Sequence, residues 1–188
     1  RCCSFGGMSR RLSSAIVVIV ALAPFAPGAA RADVRLPRVF GSHMVLQQGR
    51  PLPFWGTAEA GENVEVEVLG KKASAVAGKD GRWKATVPAI DATSGPFIVT
   101  VRGKNTVTFD DVLLGEVWIA SGQSNMEFPL KHVVNAGAEL MFANQGEIRL
   151  FDVKHGDTPN ESATDVEAEW APCTPESAGD FSGVAYFF

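Results

Sequence analysis

One serine in this chain stands in surroundings that could make its hydroxyl reactive. Ser124 lies in Gly115-Glu116-Val117-Trp118-Ile119-Ala120-Ser121-Gly122-Gln123-Ser124-Asn125-Met126, an apolar run that ends on small and polar residues. A hydroxyl is a useful nucleophile only when it is held rigidly and backbone N–H groups point at the oxygen that gains charge. The pattern predicts a buried strand running into a Ser-Gly-x-Ser turn, with Gly122 allowing the tight bend. The chemistry such a turn could carry is acyl transfer with Ser124 as nucleophile; the alternative is a serine that only caps a helix. A base is harder to find. His43, beside Met44-Val45-Leu46, reads as structural, His132 falls on a predicted helix and His155 in a predicted loop. Cys173 has no Cys or His neighbour at metal-ligand spacing and reads as a partly buried thiol.

The elements around Ser124 read as α/β. Val117 to Ala120 is a near-continuous apolar run, as in a strand buried on both faces. Pro129 can open a helix, and Val133, Val134, Gly137, Leu140 and Met141 fall on one face of it. Asn144-Gln145-Gly146 ends that helix, and Ile148 to Val153 forms a second strand. Strand, helix and strand predict a βαβ unit with a right-handed crossover, and reactive groups gather at the carboxyl ends of such strands, where Ser124 falls. Lys154 to Glu169 is polar and aperiodic, a long surface loop. Phe181 to Phe188 reads as the start of another helix with Asp180 as its N-cap. It stops on Tyr186-Phe187-Phe188 before a core can close, which marks the chain as a fragment.

Upstream of Val112 the pattern is short strands and turns. Val64-Glu65-Val66-Glu67-Val68 alternates apolar and charged residues, and Phe97 to Val101 and Thr106 to Phe109 are rich in β-branched and aromatic types. Turn signals separate them at Glu59-Ala60-Gly61-Glu62, Lys79-Asp80-Gly81, Ser94-Gly95-Pro96 and Gly103-Lys104-Asn105. This predicts an antiparallel β-sandwich over residues 33–111, followed by an α/β domain over 112–188. Trp55 and Trp83 could stack on sugars if exposed, but core packing is the favoured reading of both.

Residues 1–32 form a segment of a different kind. Arg10-Arg11, the apolar stretch from Ala15 to Ala23 and Ala30-Arg31-Ala32 have the layout of a secretory signal peptide, with Asp33 the first mature residue and Met8 a plausible initiator. The apolar run is too short for a membrane anchor and is closed by Pro24 and Pro27, so no stable membrane insertion is expected after cleavage. Export to the periplasm or beyond follows. Cys2 and Cys3 leave with the leader, and Cys173 alone cannot form an internal disulfide. Arg1, Arg10, Arg11 and Arg31 leave too, so 13 basic residues face 21 acidic ones and the formal net charge moves from −4 to −8. That balance argues against nucleic acid or an anionic membrane as partner.

The Ser124 turn is not Gly-x-Ser-x-Gly, because Met126 occupies the place of the second glycine. Gly122-Gln123-Ser124-Asn125-Met126 instead resembles the first block of the SGNH (GDSL-like) hydrolases, in the form typical of the sialate O-acetylesterase family. Leu36-Pro37-Arg38-Val39-Phe40, Met44-Val45-Leu46-Gln47, Pro53-Phe54-Trp55-Gly56, Gly81-Arg82-Trp83, Gly95-Pro96-Phe97, the lead-in Asp111 to Trp118, and Trp170 with Phe181 to Phe188 resemble that family in the same order. The resemblance implies an amino-terminal β-sandwich followed by the truncated start of a three-layer α/β hydrolase domain. It implies a serine esterase acting on O-acetylated carbohydrates such as sialic acids, without metal or organic cofactor. Ser124 would be the catalytic nucleophile and its N–H an oxyanion donor, with Gly122, Gln123 and Asn125 shaping the site. The family's Asp-x-x-His block has no counterpart here, and neither His132 nor His155 matches it. Two rival readings are a non-catalytic carbohydrate-binding sandwich and an esterase for acetylated plant polysaccharides of the acetylxylan type.

Overall fold

Alternation of apolar and polar residues builds the first part of the fold. In β3 (Asn63–Val68) the three valines Val64, Val66 and Val68 are fully buried, while Glu65 and Glu67 point outward. Lys72 on β4 (Lys71–Val76) and Arg102 on β6 (Phe97–Arg102) answer those carboxylates, with Lys72 Nζ 2.9 Å from Glu65 and Arg102 Nη1 2.5 Å from Glu67. β7 (Thr106–Gly115) and β1 (Val45–Gln47) complete a five-stranded sheet in the order β1-β7-β6-β3-β4. The sheet is antiparallel except for the parallel β1–β7 pair. A second, two-stranded sheet pairs β2 (Leu52–Thr57) with β5 (Arg82–Val87). Its inward residues Leu52, Phe54, Trp83, Ala85 and Val87 share one hydrophobic cluster with the inner face of the five-stranded sheet. At about 1.5–3 kcal/mol for each large apolar side chain buried, this cluster is the main source of cohesion. Trp83 is therefore core, as expected, whereas Trp55, for which core packing was the favoured reading too, is 41% exposed because alternation turns it to the outer face of β2.

The computed structural model describes residues 33–91, 95–153 and 165–188. All of them belong to one compact unit, Arg31–Phe188. The leader expected over residues 1–32 and most of the loop expected over 154–169 lie outside the described residues. None of the described helices is long and apolar enough to cross a membrane.

The second part departs from the expected βαβ unit. Val117 to Ala120 is not a strand, and β8 (Gln145–Phe151) pairs antiparallel with β9 (Trp170–Cys173) rather than parallel with an upstream strand. The expected helix shortens to α1 (Ala136–Met141), preceded by a 3-10 turn at Leu130–His132 and by Asn135 at φ +65°. Val133 and Leu140 pack inward as the periodicity implied, but Val134 and Met141 are exposed. Asp180 is not an N-cap: it ends α2 (Pro175–Asp180), which Thr174 and Ser177 open with a reciprocal capping box. The cap of α3 (Gly183–Tyr186) is Ser182, whose side chain accepts from the Ala185 N–H. The serine directly before the helix takes the place expected of the aspartate, because a residue at the N-cap holds its side-chain oxygen within reach of an open donor of the first turn.

A small cluster of Leu130, Ala143, Leu150, Cys173 and Ala178 holds these elements together. Cys173 is 1% exposed, and burial pushes its thiol above the usual range, so it is a structural thiol. Trp170 ties this part to the first: it packs on the larger cluster, and its indole N–H donates to the Val39 carbonyl at 2.8 Å.

Candidate active site

Ser124 is delivered by an extended, unpaired segment that leaves the end of β7. Among the described residues no strand pairs with residues 116–123, and Trp118 and Ile119 are 70% and 92% exposed. The expected doubly buried strand is thus corrected to an exposed segment. The physical reason is that a buried strand needs hydrogen-bonding neighbours and a packed layer on each face, and the described residues supply neither here.

The root of the segment is anchored. Gln47 Nε2 and Gln48 Nε2 each donate to the Glu116 carboxylate at 2.9 Å, and Gln47 Oε1 accepts from the Val117 N–H at 3.0 Å. Those two amide donors hold the Glu116 carboxyl below its ordinary range. Because β1 lies parallel to β7, Gln47 sits beside Gly115, where it reaches both the side chain and the backbone of the departing chain.

Ser124 opens a 3-10 turn, Ser124–Glu127, in which the Met126 N–H donates to the Gln123 carbonyl at 2.8 Å. The N-cap position is Gln123, without a side-chain cap, so Ser124 does not play the capping role weighed for it. Gly122 is not in the left-handed region that a tight bend would require. Its constraint is space: a Cβ there would stand 2.6 Å from Met126 Cγ. Gly122, Gln123, Ser124 and Asn125 are all exposed. The first three line a broad cavity of about 1440 Å³ together with Trp118, Glu127, Arg149, Tyr186 and Phe188, whereas Asn125 does not reach its wall.

No described histidine meets Ser124. His132 packs its ring against Phe128, 6.1 Å between centroids, and His155 lies outside the described residues. His43 is structural, as read from sequence: its Nδ1 stands 2.7 Å from Asp111 Oδ2. Among the described residues no group of three or more His, Cys, Asp or Glu could hold a metal ion.

Sequence reasoning missed the most organised polar cluster near the cavity. Arg149 on β8 has a side chain only 5% exposed, and its Nη2 donates to both Asp111 oxygens at 3.2 and 3.1 Å. Its Nη1 donates to the Gly146 carbonyl, while its Nε is buried without a partner. The His43 hydrogen bond, then the Arg149 charge, holds the Asp111 carboxyl below the ordinary carboxylate range. Asp111 and His43 both lie at positive φ, +54° and +67°, and β6–β7 register shifts beside Asp111. Two signals in the sequence could have found the cluster: the Asp110-Asp111 doublet inside a strand pattern, and an arginine inside Ile148-Arg149-Leu150-Phe151.

The structure is similar to a solved one, a carbohydrate acetylesterase from Xanthomonas citri, with a TM-score of 0.75 and 35% identity, over 82% of this chain and 36% of that one. Among curated proteins, the sialate O-acetylesterase of Rattus norvegicus is 31% identical over 77% of this chain and 29% of its own length. That of Homo sapiens is 28% identical over 86% and 34%. The chain belongs to the sialate O-acetylesterase family. It spans about a third of the length of these relatives. No protein-family model matches it.

Proposed function

We propose that this chain carries the nucleophile of a serine esterase that removes acetyl groups from O-acetylated carbohydrates. The observation that carries the reading is Ser124, exposed at the start of a 3-10 turn on the wall of a large cavity, within Gly122-Gln123-Ser124-Asn125-Met126. Its hydroxyl would attack the acetyl carbonyl and displace the sugar as its free alcohol, and water would hydrolyse the resulting acetyl-serine to acetate and free serine. Its own N–H would help hold the oxyanion, with Gly122 and Gln123 at the cavity wall and Asn125 shaping the turn. The general base would come from outside the described residues, so the described part would be inactive on its own. Two sheets sharing one hydrophobic cluster support the β-sandwich reading. Residues 1–32 would direct export to the periplasm or beyond.

The test is acetate release from 4-nitrophenyl acetate and from O-acetylated sialic acid, using protein expressed from the whole reading frame. Ser124→Ala should lower kcat by about 10³-fold or more, and an acetyl adduct should map to the peptide containing Ser124. Undiminished turnover would remove Ser124 from the mechanism.

A further inference from the structure

The outer face of the β2–β5 sheet carries an aromatic and cationic surface that the Ser124 cavity does not use. Alternation turns Pro53, Trp55 and Thr57 of β2 outward, with Arg82, Lys84 and Thr86 of β5 beside them. Register places Trp55 opposite Lys84, Thr57 opposite Arg82 and Pro53 opposite Thr86. A third row joins at the free edge of β2, where Arg35 bridges Thr57 through two backbone hydrogen bonds of 2.8 and 2.9 Å. Gly56 makes this approach possible, since a Cβ there would stand 2.0 Å from the Arg35 carbonyl oxygen. The face therefore presents Arg35, Arg82 and Lys84 around one exposed indole.

The indole is held in place. Phe40 meets Trp55 edge to face at 4.6 Å, and Phe40 itself stacks on the buried Phe54 at 5.0 Å. A lone exposed apolar residue is ordinary; an indole packed on Phe40, with Lys84 opposite it and Arg82 and Arg35 flanking the adjacent Thr57, is a more specific surface. Arg82 has Asp80 at 4.0 Å, but among the described residues neither Arg35 nor Lys84 has a carboxylate partner. This occurs in a chain whose formal net charge is −4. None of these residues lines the Ser124 cavity.

We propose that the Trp55–Lys84 face is a second carbohydrate site that binds a carboxylate-bearing sugar residue. The indole offers a flat apolar surface to the C–H face of a sugar ring, and the neighbouring Lys84, Arg82 and Arg35 answer its carboxylate. A neutral sugar would leave the cations unmatched. The choice of a sugar as ligand rests on the carbohydrate-esterase reading, whereas the geometry of the face does not.

The test is titration of the nitrogen-15-labelled chain with trigalacturonate and with neutral galactotriose, following the indole N–H resonances. The Trp55 resonance should shift saturably with trigalacturonate while the buried Trp83 resonance stays in place. Galactotriose should bind at least about tenfold more weakly, and Trp55→Ala and Lys84→Glu should each lower trigalacturonate affinity by about tenfold. Lys84 is exposed on a strand, so its variant decides the matter if Trp55→Ala fails to fold. Ser124→Ala should bind as the parent does, so loss of esterase activity and loss of this site are separately visible. A stationary Trp55 resonance, equal affinity for the neutral trisaccharide, or full affinity in Lys84→Glu would overturn the proposal.

Discussion

Arg149 on β8 donates to both carboxylate oxygens of Asp111 on β7, at 3.2 and 3.1 Å, and so joins the wall of the Ser124 cavity to the strand from which the Ser124 segment departs. His43 completes the cluster from the loop before β1. The two positive-φ residues His43 and Asp111 are kept in place because each is tied to the other and, through Arg149, to a different sheet.

Removing one side of this pair should cost more than removing the other. Asp111→Ala leaves the buried Arg149 guanidinium without its counter-charge and should destabilise the chain by about 3 kcal/mol. Arg149→Met fills similar space without a charge and leaves Asp111 with His43 and solvent, so it should cost about 1 kcal/mol. Urea unfolding of both variants checks the order; equal losses would mean the charge is not the issue.

Acid should weaken this tie. The folded Asp111 pKa is depressed, chiefly by the His43 hydrogen bond, so its contribution is present above the unfolded value of about 3.9 and is lost as pH falls through the lower folded value. Stability measured from about pH 5 down to pH 2 should therefore fall less steeply in Asp111→Asn than in the parent. Parallel curves would show that Asp111 does not contribute to the acid limb.

Gln47 should govern the order of the Ser124 segment more than global stability. Gln47→Ala removes one donor to Glu116 and the acceptor of the Val117 N–H, both at exposed positions. The expected cost is about 1 kcal/mol or less. Hydrogen exchange over residues 116–124 should nevertheless accelerate while β3 and β6 keep their protection. Unchanged exchange at Val117 would show that the segment is held by other contacts.

Gly122 and Met126 should be energetically coupled. Gly122→Ala places a Cβ against Met126 Cγ at 2.6 Å and should disturb the serine turn. Met126→Ala alone opens space, and the double variant should recover part of the loss in a double-mutant cycle. Additive effects would show that the glycine is needed for another reason.

The strand at Val64 to Val68 was legible because a residue alternation of period two states which face is wet, whereas β1, β2, β4 and β5 were not read from the sequence. Val64, Val66 and Val68 are buried and Glu65 and Glu67 face outward without help from any distant residue. The Ser124 motif was legible for a similar reason: residue types and their order carry it locally. Beyond Gly115 the same kind of reading overreached. An apolar run such as Val117 to Ala120 becomes a strand only when other strands complete its hydrogen bonds, and no local pattern contains that information.

What the sequence determined by itself was therefore the alternation within the strands it marks, the serine motif and the family to which the chain belongs. Tertiary structure alone decided that Asp111, His43 and Arg149 meet across separations of 68 and 38 residues. It also decided that Trp55 faces outward beside Lys84, and that Gln47 anchors the segment bearing Ser124. Local propensity is a property of neighbours along the chain; charge pairing and burial across sheets depend on which distant surfaces close together, and folding alone selects those.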